Sequence, residues 1–236
     1  MLQEQSFKII AKINTDFPEK FGIPRQSGLI KGAKGVVEFE PEYRSVEAFR
    51  GLEGYSHIWI LWGFSEAKRE TWAATVTPPR LGGKKRMGVF ATRSPFRPNP
   101  IGMSVVKLDE IVYDEKRGPL LKVSGVDMLN GTPIYDIKPY LPYADSYPDA
   151  TDGFAGKVYD HALEVEFPEK LLNKIATDYQ DSLMEILRQD PRTAFIEDES
   201  RVWGVTYGKW NVRFTVVGDV LTVCEVEEID KACSKR

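Results

Sequence analysis

From residue 7 to residue 126 the chain offers a series of strand-length patterns and no long helical one. Phe7, Ile9, Ala11 and Ile13 recur at every second position, as in a half-buried strand. Residues 36–40 form a second such run, and residues 56–64 are aromatic and β-branched enough for a central strand. Residues 87–92, 103–112 and 120–126 follow, separated by Gly and Pro. Only residues 45–52 suggest a short helix here. Strands so closely spaced point to an antiparallel sheet or barrel.

Farther along the pattern changes. Between Gly131 and Gly156 the chain carries Pro133, Pro139, Pro142 and Pro148, which predicts a long irregular wrap. Residues 153–158 look like a boundary, and residues 163–167 like a short strand. Residues 168–189 then read as one long helix, with Pro168 in its first turn and Leu171, Ile175, Tyr179, Leu183, Ile186 and Leu187 on one face. Residues 212–217 and 220–226 flank Gly218-Asp219, a two-residue hairpin signal. The expected fold is mainly β: an antiparallel β-barrel domain over residues 1–156, a small C-terminal α+β domain over 157–230, and a tail at 231–236.

Charge is unevenly placed. Residues 71–108 hold Arg80, Lys84, Lys85, Arg86, Arg93, Arg97 and Lys107 and no Asp or Glu. The whole chain has 32 Lys+Arg against 35 Asp+Glu, so removing these seven leaves 25 against 35. Within this basic segment, Arg93-Ser-Pro-Phe-Arg97-Pro-Asn-Pro-Ile-Gly102 sets two guanidinium groups on a backbone stiffened by three prolines. Such a loop can fix a phosphate or carboxylate, or serve as a solvated surface turn.

Other chemistries find little support. The only histidines are His57 and His161, which disfavours a zinc site or a Ser-His-Asp scheme. Cys224 and Cys233 are the only cysteines and supply neither a disulfide framework nor a metal spacing, so no metal is expected. No apolar run reaches the roughly 18 residues of a membrane helix. The N-terminus lacks a signal-peptide pattern, so a cytoplasmic protein is expected. Neither G-x-G-x-x-G nor G-x-x-x-x-G-K-[ST] occurs, so a nucleotide-like cofactor would bind without a Rossmann or P-loop cradle.

Four segments couple a constrained backbone to polar side chains: Gly22-Ile-Pro24-Arg25-Gln26, Thr77-Pro-Pro-Arg80-Leu-Gly-Gly83, the Arg93 to Gly102 run, and Asp127-Met-Leu-Asn130-Gly131-Thr132 continuing through Asp136 to Tyr140. The second, the third (extended back to Gly88) and the stretch from Gly131 to Asp145 resemble the TrmO family of tRNA (adenine-37) N6-methyltransferases. The similarity runs from about Phe7 to Asp149, and Gln189-Asp-Pro-Arg-Thr-Ala-Phe195 resembles the family's C-terminal signature.

The resemblance implies a β-barrel that binds S-adenosylmethionine and a homodimer with the donor pocket near the subunit interface. It implies as substrate an N6-threonylcarbamoyl adenosine at position 37 of threonine-codon tRNAs, converted to its N6-methylated form (m6t6A). By position it assigns Pro24, Arg25, Gln26, Ser65, Glu66, Arg93, Met103, Asp127, Asn130, Gly131 and Thr132 to the donor. Family members often carry His-Gln where this chain has Ser65-Glu66, and Asp where it has Asn130.

The chemistry of these residues suits that assignment. A guanidinium from Arg25 or Arg93 can hold the donor's carboxylate, and Met103 can lie on its adenine. The acceptor is a ureido nitrogen that must lose its proton, so Asp136 first and Asp127 second are the candidate proton acceptors. Arg80, Lys84, Lys85, Arg86 and Arg97 are candidates for phosphates of the anticodon stem-loop. Trp203, Tyr207 and Trp210 either stack on loop bases or form the core of the C-terminal unit. Two other readings share these features: an RNA-binding module without turnover, and a methyltransferase of the same fold acting on another modified nucleoside.

Overall fold

The structure, a computed structural model, describes residues 4–66, 71–78, 85–156, 162–192 and 198–229. The first eight strands are β1 (Ala11–Thr15), β2 (Lys34–Phe39), β3 (His57–Gly63), β4 (Thr75–Val76), β5 (Met87–Gly88), β6 (Ile101–Asp114), β7 (Gly118–Ser124) and β8 (Thr132–Pro139). Six of them close into an antiparallel barrel in the order β1-β2-β7-β6-β3-β8, with β8 returning to β1. The short β4 and β5 pair as a separate ribbon.

The period-2 pattern decides which side chains fill the barrel. On β3, Ile58, Ile60 and Trp62 are buried, while His57, Trp59 and Leu61 alternate with them and are half-buried. On β6, Gly102, Ser104, Val106 and Leu108 take the buried positions. Ala11, Ile13, Val37, Leu121, Val123 and Ile134 complete the interior. Burying this apolar surface is the main force holding the closed sheet.

After the barrel come α1 (Pro142–Asp145), β9 (Glu164–Glu166), α2 (Glu169–Leu172), α3 (Thr177–Arg188), β10 (Trp203–Tyr207), β11 (Trp210–Val217) and β12 (Val220–Glu228). The second sheet has the order β10-β11-β12-β9, and its β9–β12 pair is parallel. Leu183, Ile186 and Leu187 of α3 join Val205, Val212 and Phe214 of the sheet in one core.

That core is continuous with the barrel through the segment after β1. The Phe17 ring lies 5.3 Å from Tyr207, and Phe21 stacks on Trp203 at 6.2 Å. The Gly208 amide donates to the Asp16 carbonyl at 2.8 Å. Gly22 makes this approach possible: its φ is +86°, and a Cβ there would sit 2.2 Å from Val205 Cγ2. Trp203, Tyr207 and Trp210 keep only 6%, 2% and 4% of their surface exposed, so they are core and not base-stacking faces.

The structure departs from the sequence expectations at several places, and the short helix expected over 45–52 is two 3₁₀ turns, Val46–Phe49 and Leu52–Gly54. Phe7 and Ile9 are exposed, and the first strand begins at Ala11. Only Met87–Gly88 of the expected strand 87–92 is extended, because Val89–Ala91 forms a 3₁₀ turn. The expected irregular wrap contains a barrel strand, β8. Its prolines are tolerated because Pro133 precedes the first residue paired with β3, and Pro139 is the last residue of the strand. The expected helix 168–189 is two helices: Ala176 is extended (ψ 138°), and the Gln180 amide donates to the freed carbonyls of Leu172 and Ile175. Finally, β10 is a strand beyond those expected; its buried Trp203, Val205 and Tyr207 alternate with more exposed residues.

Candidate active site

The register places five chain segments at one end of the barrel. These are the end of β3, the starts of β6 and β8, and the segments leaving β1 and β7. They surround a hollow of about 400 Å³. Pro24, Arg25 and Gln26 line it from the segment after β1, and Ser65 and Glu66 from the segment after β3. Arg93, Pro95 and Arg97 come from the proline-stiffened loop, Met103 from β6, Asp127 from the exit of β7 and Thr132 from β8. Residues far apart in sequence thus meet because antiparallel closure brings alternate strand ends together.

A buried polar chain leads into the hollow. Trp62 Nε1 donates to Ser104 Oγ at 2.9 Å, and Ser104 Oγ donates to Asp127 Oδ1 at 2.6 Å. Burial pushes the Asp127 carboxyl up to about 6. The hydrogen bond from Ser104, the amides of Asp127 and Ser27, and the charge of Arg93 pull the other way. Asp127 therefore changes charge close to neutral pH.

The cationic side chains of Lys20, Arg25, Arg93 and Arg97 stand in an otherwise largely apolar wall. Arg93 donates to the Gln26 side-chain carbonyl, which joins the loop to the segment after β1. Lys20 Nζ donates to the Glu66 carbonyl at 2.7 Å and stands 3.4 Å from its carboxylate. Arg97 donates to the carbonyls of Thr92 at 2.8 Å and Val89 at 3.2 Å, which fixes the loop carrying Arg93. Ile23, Phe64 and Leu129 supply apolar wall.

Several residues singled out in the sequence stand elsewhere. The Asn130 side-chain carbonyl accepts from the Thr15 amide at 3.0 Å and the Gly131 amide donates to the Ile13 carbonyl, so both tie down β1 and do not line the hollow. Asp136 is also outside the lining: it pairs with Leu61 across the sheet, forms a 2.8 Å ion pair with Lys138 and accepts from the Ile137 amide. Lys85 and Arg86 are exposed, and Arg86 Nε donates to Thr75 Oγ1 at 2.8 Å. Arg80 and Lys84 lie outside the described residues. Among the described residues there is no cluster of metal-ligating side chains and no helix long and apolar enough to cross a membrane.

Sequence reasoning misses Lys20, Trp62, Ser104 and Gly102. Ser104 has a legible signal, a polar residue at an inward position of an otherwise apolar strand. Gly102 has none, since its need for a missing side chain comes from Trp62 across the sheet: a Cβ would lie 2.2 Å from the indole.

The fold is a closed antiparallel barrel whose mouth is a hollow lined by Arg25, Arg93 and Arg97. The tRNA-methyltransferase O N-terminal domain matches residues 12–146, and the TrmO C-terminal domain matches residues 160–229. The chain is 45% identical over 220 residues to the tRNA (adenine(37)-N6)-methyltransferase of Escherichia coli (strain K12), across 89% of this chain and 92% of that one. It is 41% identical to a Pseudomonas aeruginosa protein provisionally named as an S-adenosylmethionine-dependent methyltransferase, over 83% of this chain and 86% of the other. The crystal structure of TrmO from P. aeruginosa superposes with a TM-score of 0.77 at 35% identity, covering 97% of this chain and 99% of that one. The chain belongs to the TrmO family of tRNA methyltransferases.

Proposed function

We propose that this chain methylates N6 of adenosine 37 in tRNA, with S-adenosylmethionine as donor and an N6-threonylcarbamoyl adenosine as acceptor. The observation that carries this reading is the convergence of Arg25, Gln26, Arg93, Met103 and Asp127 on one hollow in a chain of this family.

The residues present fit the donor. The volume, about 400 Å³, falls within the roughly 300–1,000 Å³ of small-molecule sites. Guanidinium groups suit its carboxylate, the Gln26 amide suits polar edges, and Met103, Ile23 and Phe64 suit a flat base. When bound, the donor supplies an electrophilic methyl on a sulfonium. Arg93 orients the donor's carboxylate end, and the arginine-pinned loop keeps that guanidinium in place. Asp127 takes the proton from the acceptor nitrogen, which balances the charge as the N–CH₃ bond forms. Its carboxyl, near 6, is largely ionised at neutral pH yet basic enough to accept. Asp136 stands outside the hollow, which favours Asp127 for this step. Lys85 and Arg86 contact phosphates of the anticodon stem-loop.

A second copy of the chain completes the site. Trp59 and Val105, and Leu61 and Met103, are cross-strand neighbours on the outer barrel face, and Met103 is 52% exposed while also lining the hollow. An apolar strip that reaches the mouth of a site suits an isologous dimer. With tRNA as substrate, the cytoplasm is the working compartment.

The test is methyl transfer to purified tRNA followed by mass spectrometry of its nucleosides. Methylated threonylcarbamoyl adenosine is the expected product, from threonine-codon tRNAs that already carry the modification. Methylation of a different nucleoside would point to another substrate. Tight tRNA binding with no donor uptake would instead make the chain an RNA-binding module.

A further inference from the structure

Trp72 and Phe90 are an exposed aromatic pair close in sequence to the loop that enters the hollow. They are 52% and 76% exposed, with ring centroids 6.3 Å apart and an interplanar angle of 24°. Large apolar side chains scattered singly on a surface need no explanation, but two stacked rings facing water leave a flat apolar surface uncovered.

Both rings sit on a backbone tied to the loop of Arg93. The Ala73 amide donates to the Phe96 carbonyl and the Val89 amide to the Ala74 carbonyl, each at 3.0 Å. Arg97 holds the carbonyls on either side of Phe90, those of Val89 and Thr92. Val89 is buried, so Phe90 projects from an anchored turn. The same residues 71–108 contain no carboxylate side chain, and Lys85 and Arg86 are exposed just before β5.

We infer that Trp72 and Phe90 form a stacking platform for unpaired bases of the RNA loop that delivers adenosine 37 to the hollow. This rests on the tRNA reading above and specifies how the loop is held. Bases offer flat π faces, and their phosphates complement the acid-free surround; an RNA loop with splayed bases supplies both. A paired stem supplies only the phosphates. The platform therefore adds recognition of unpaired structure to the charge contacts, and its attachment to the Arg93 loop fixes the distance from stacked base to reacting base.

The experiment compares Trp72→Ala and Phe90→Ala with Trp72→Tyr and Phe90→Tyr. Fluorescence anisotropy gives the affinity of each for a labelled anticodon stem-loop and for a fully paired RNA duplex with the same number of phosphates. Calorimetry with S-adenosylmethionine and light scattering provide controls for folding and assembly. Each alanine variant is expected to bind the stem-loop roughly tenfold more weakly while duplex and donor affinities stay unchanged, and each tyrosine variant to retain binding. Unchanged stem-loop affinity, or an equal loss on the duplex, would overturn the platform. A fall to monomer mass in the alanine variants would overturn it as well, by making this face an interface between copies. A wild-type chain that binds no stem-loop would remove the tRNA reading itself, and the platform with it.

Discussion

Ser104, on an inward position of β6, donates its hydroxyl proton to Asp127 across 2.6 Å at the mouth of the barrel. The barrel thereby holds a carboxylate in a partly apolar setting and gives it a single oriented hydroxyl donor. Burial raises the carboxyl and the hydrogen bond lowers it, and the balance falls near 6. A carboxylate poised there can take a proton from a weakly acidic nitrogen at physiological pH.

The pH dependence follows from that balance. In the proposed role of Asp127 only the ionised form can accept the proton, so the methylation rate is expected to fall as pH drops through about 6, roughly tenfold per unit below it. Initial rates at saturating donor and tRNA check this. Stability runs in the opposite sense: the folded carboxyl lies above its ordinary 3.8, so its charge costs folding free energy above about 6, and the cost is gone below 3.8. Asp127→Asn is therefore expected to raise the melting temperature at alkaline pH and not at about pH 4.

Ser104→Ala removes the donor to Asp127 and the acceptor of Trp62 Nε1 together. The Asp127 carboxyl then rises further, and the acid limb of the rate profile moves to higher pH. Leaving the buried indole N–H without a partner is expected to cost about 1–3 kcal/mol, measured by chemical denaturation.

The two candidate acceptors are expected to separate cleanly. Asp127→Asn abolishes turnover and keeps donor binding, whereas Asp136→Asn, which breaks an exposed pair with Lys138, leaves turnover within a few fold. Single-turnover methylation with each variant distinguishes them.

Sequence spacing tells apart strand and non-strand over most of the barrel because inward positions there are almost all apolar. Ile58, Ile60, Val106 and Leu121 need no tertiary information. β8 is hidden because Pro133 and Pro139 read as breakers; both are harmless only because of where they fall in the ladder. Local motif alone favours Asp136 over Asp127, and period 2 counted from the buried Thr132 and Ile134 would turn Asp136 inward as well. A bulge between Leu61 and Trp62 pairs Asp136 with Leu61 on the outer face, while Asp127 leaves β7 at the mouth. The tie between Asn130 and Thr15 spans 115 positions, and no spacing rule reports it.

Charge reversal at Lys85 and Arg86 is expected to weaken tRNA binding uniformly across tRNA sequences. The slope of log affinity against log salt falls by about one for each phosphate no longer neutralised. Affinity measured over a salt series checks this.

The most direct measurement is a calorimetric titration of S-adenosylmethionine into the wild-type chain and into Arg93→Ala. The hollow at the barrel mouth is the donor site if the wild type binds and the variant binds about 10–100-fold more weakly, the effect of losing hydrogen bonds to a charged group. Equal affinity in the two proteins would contradict it.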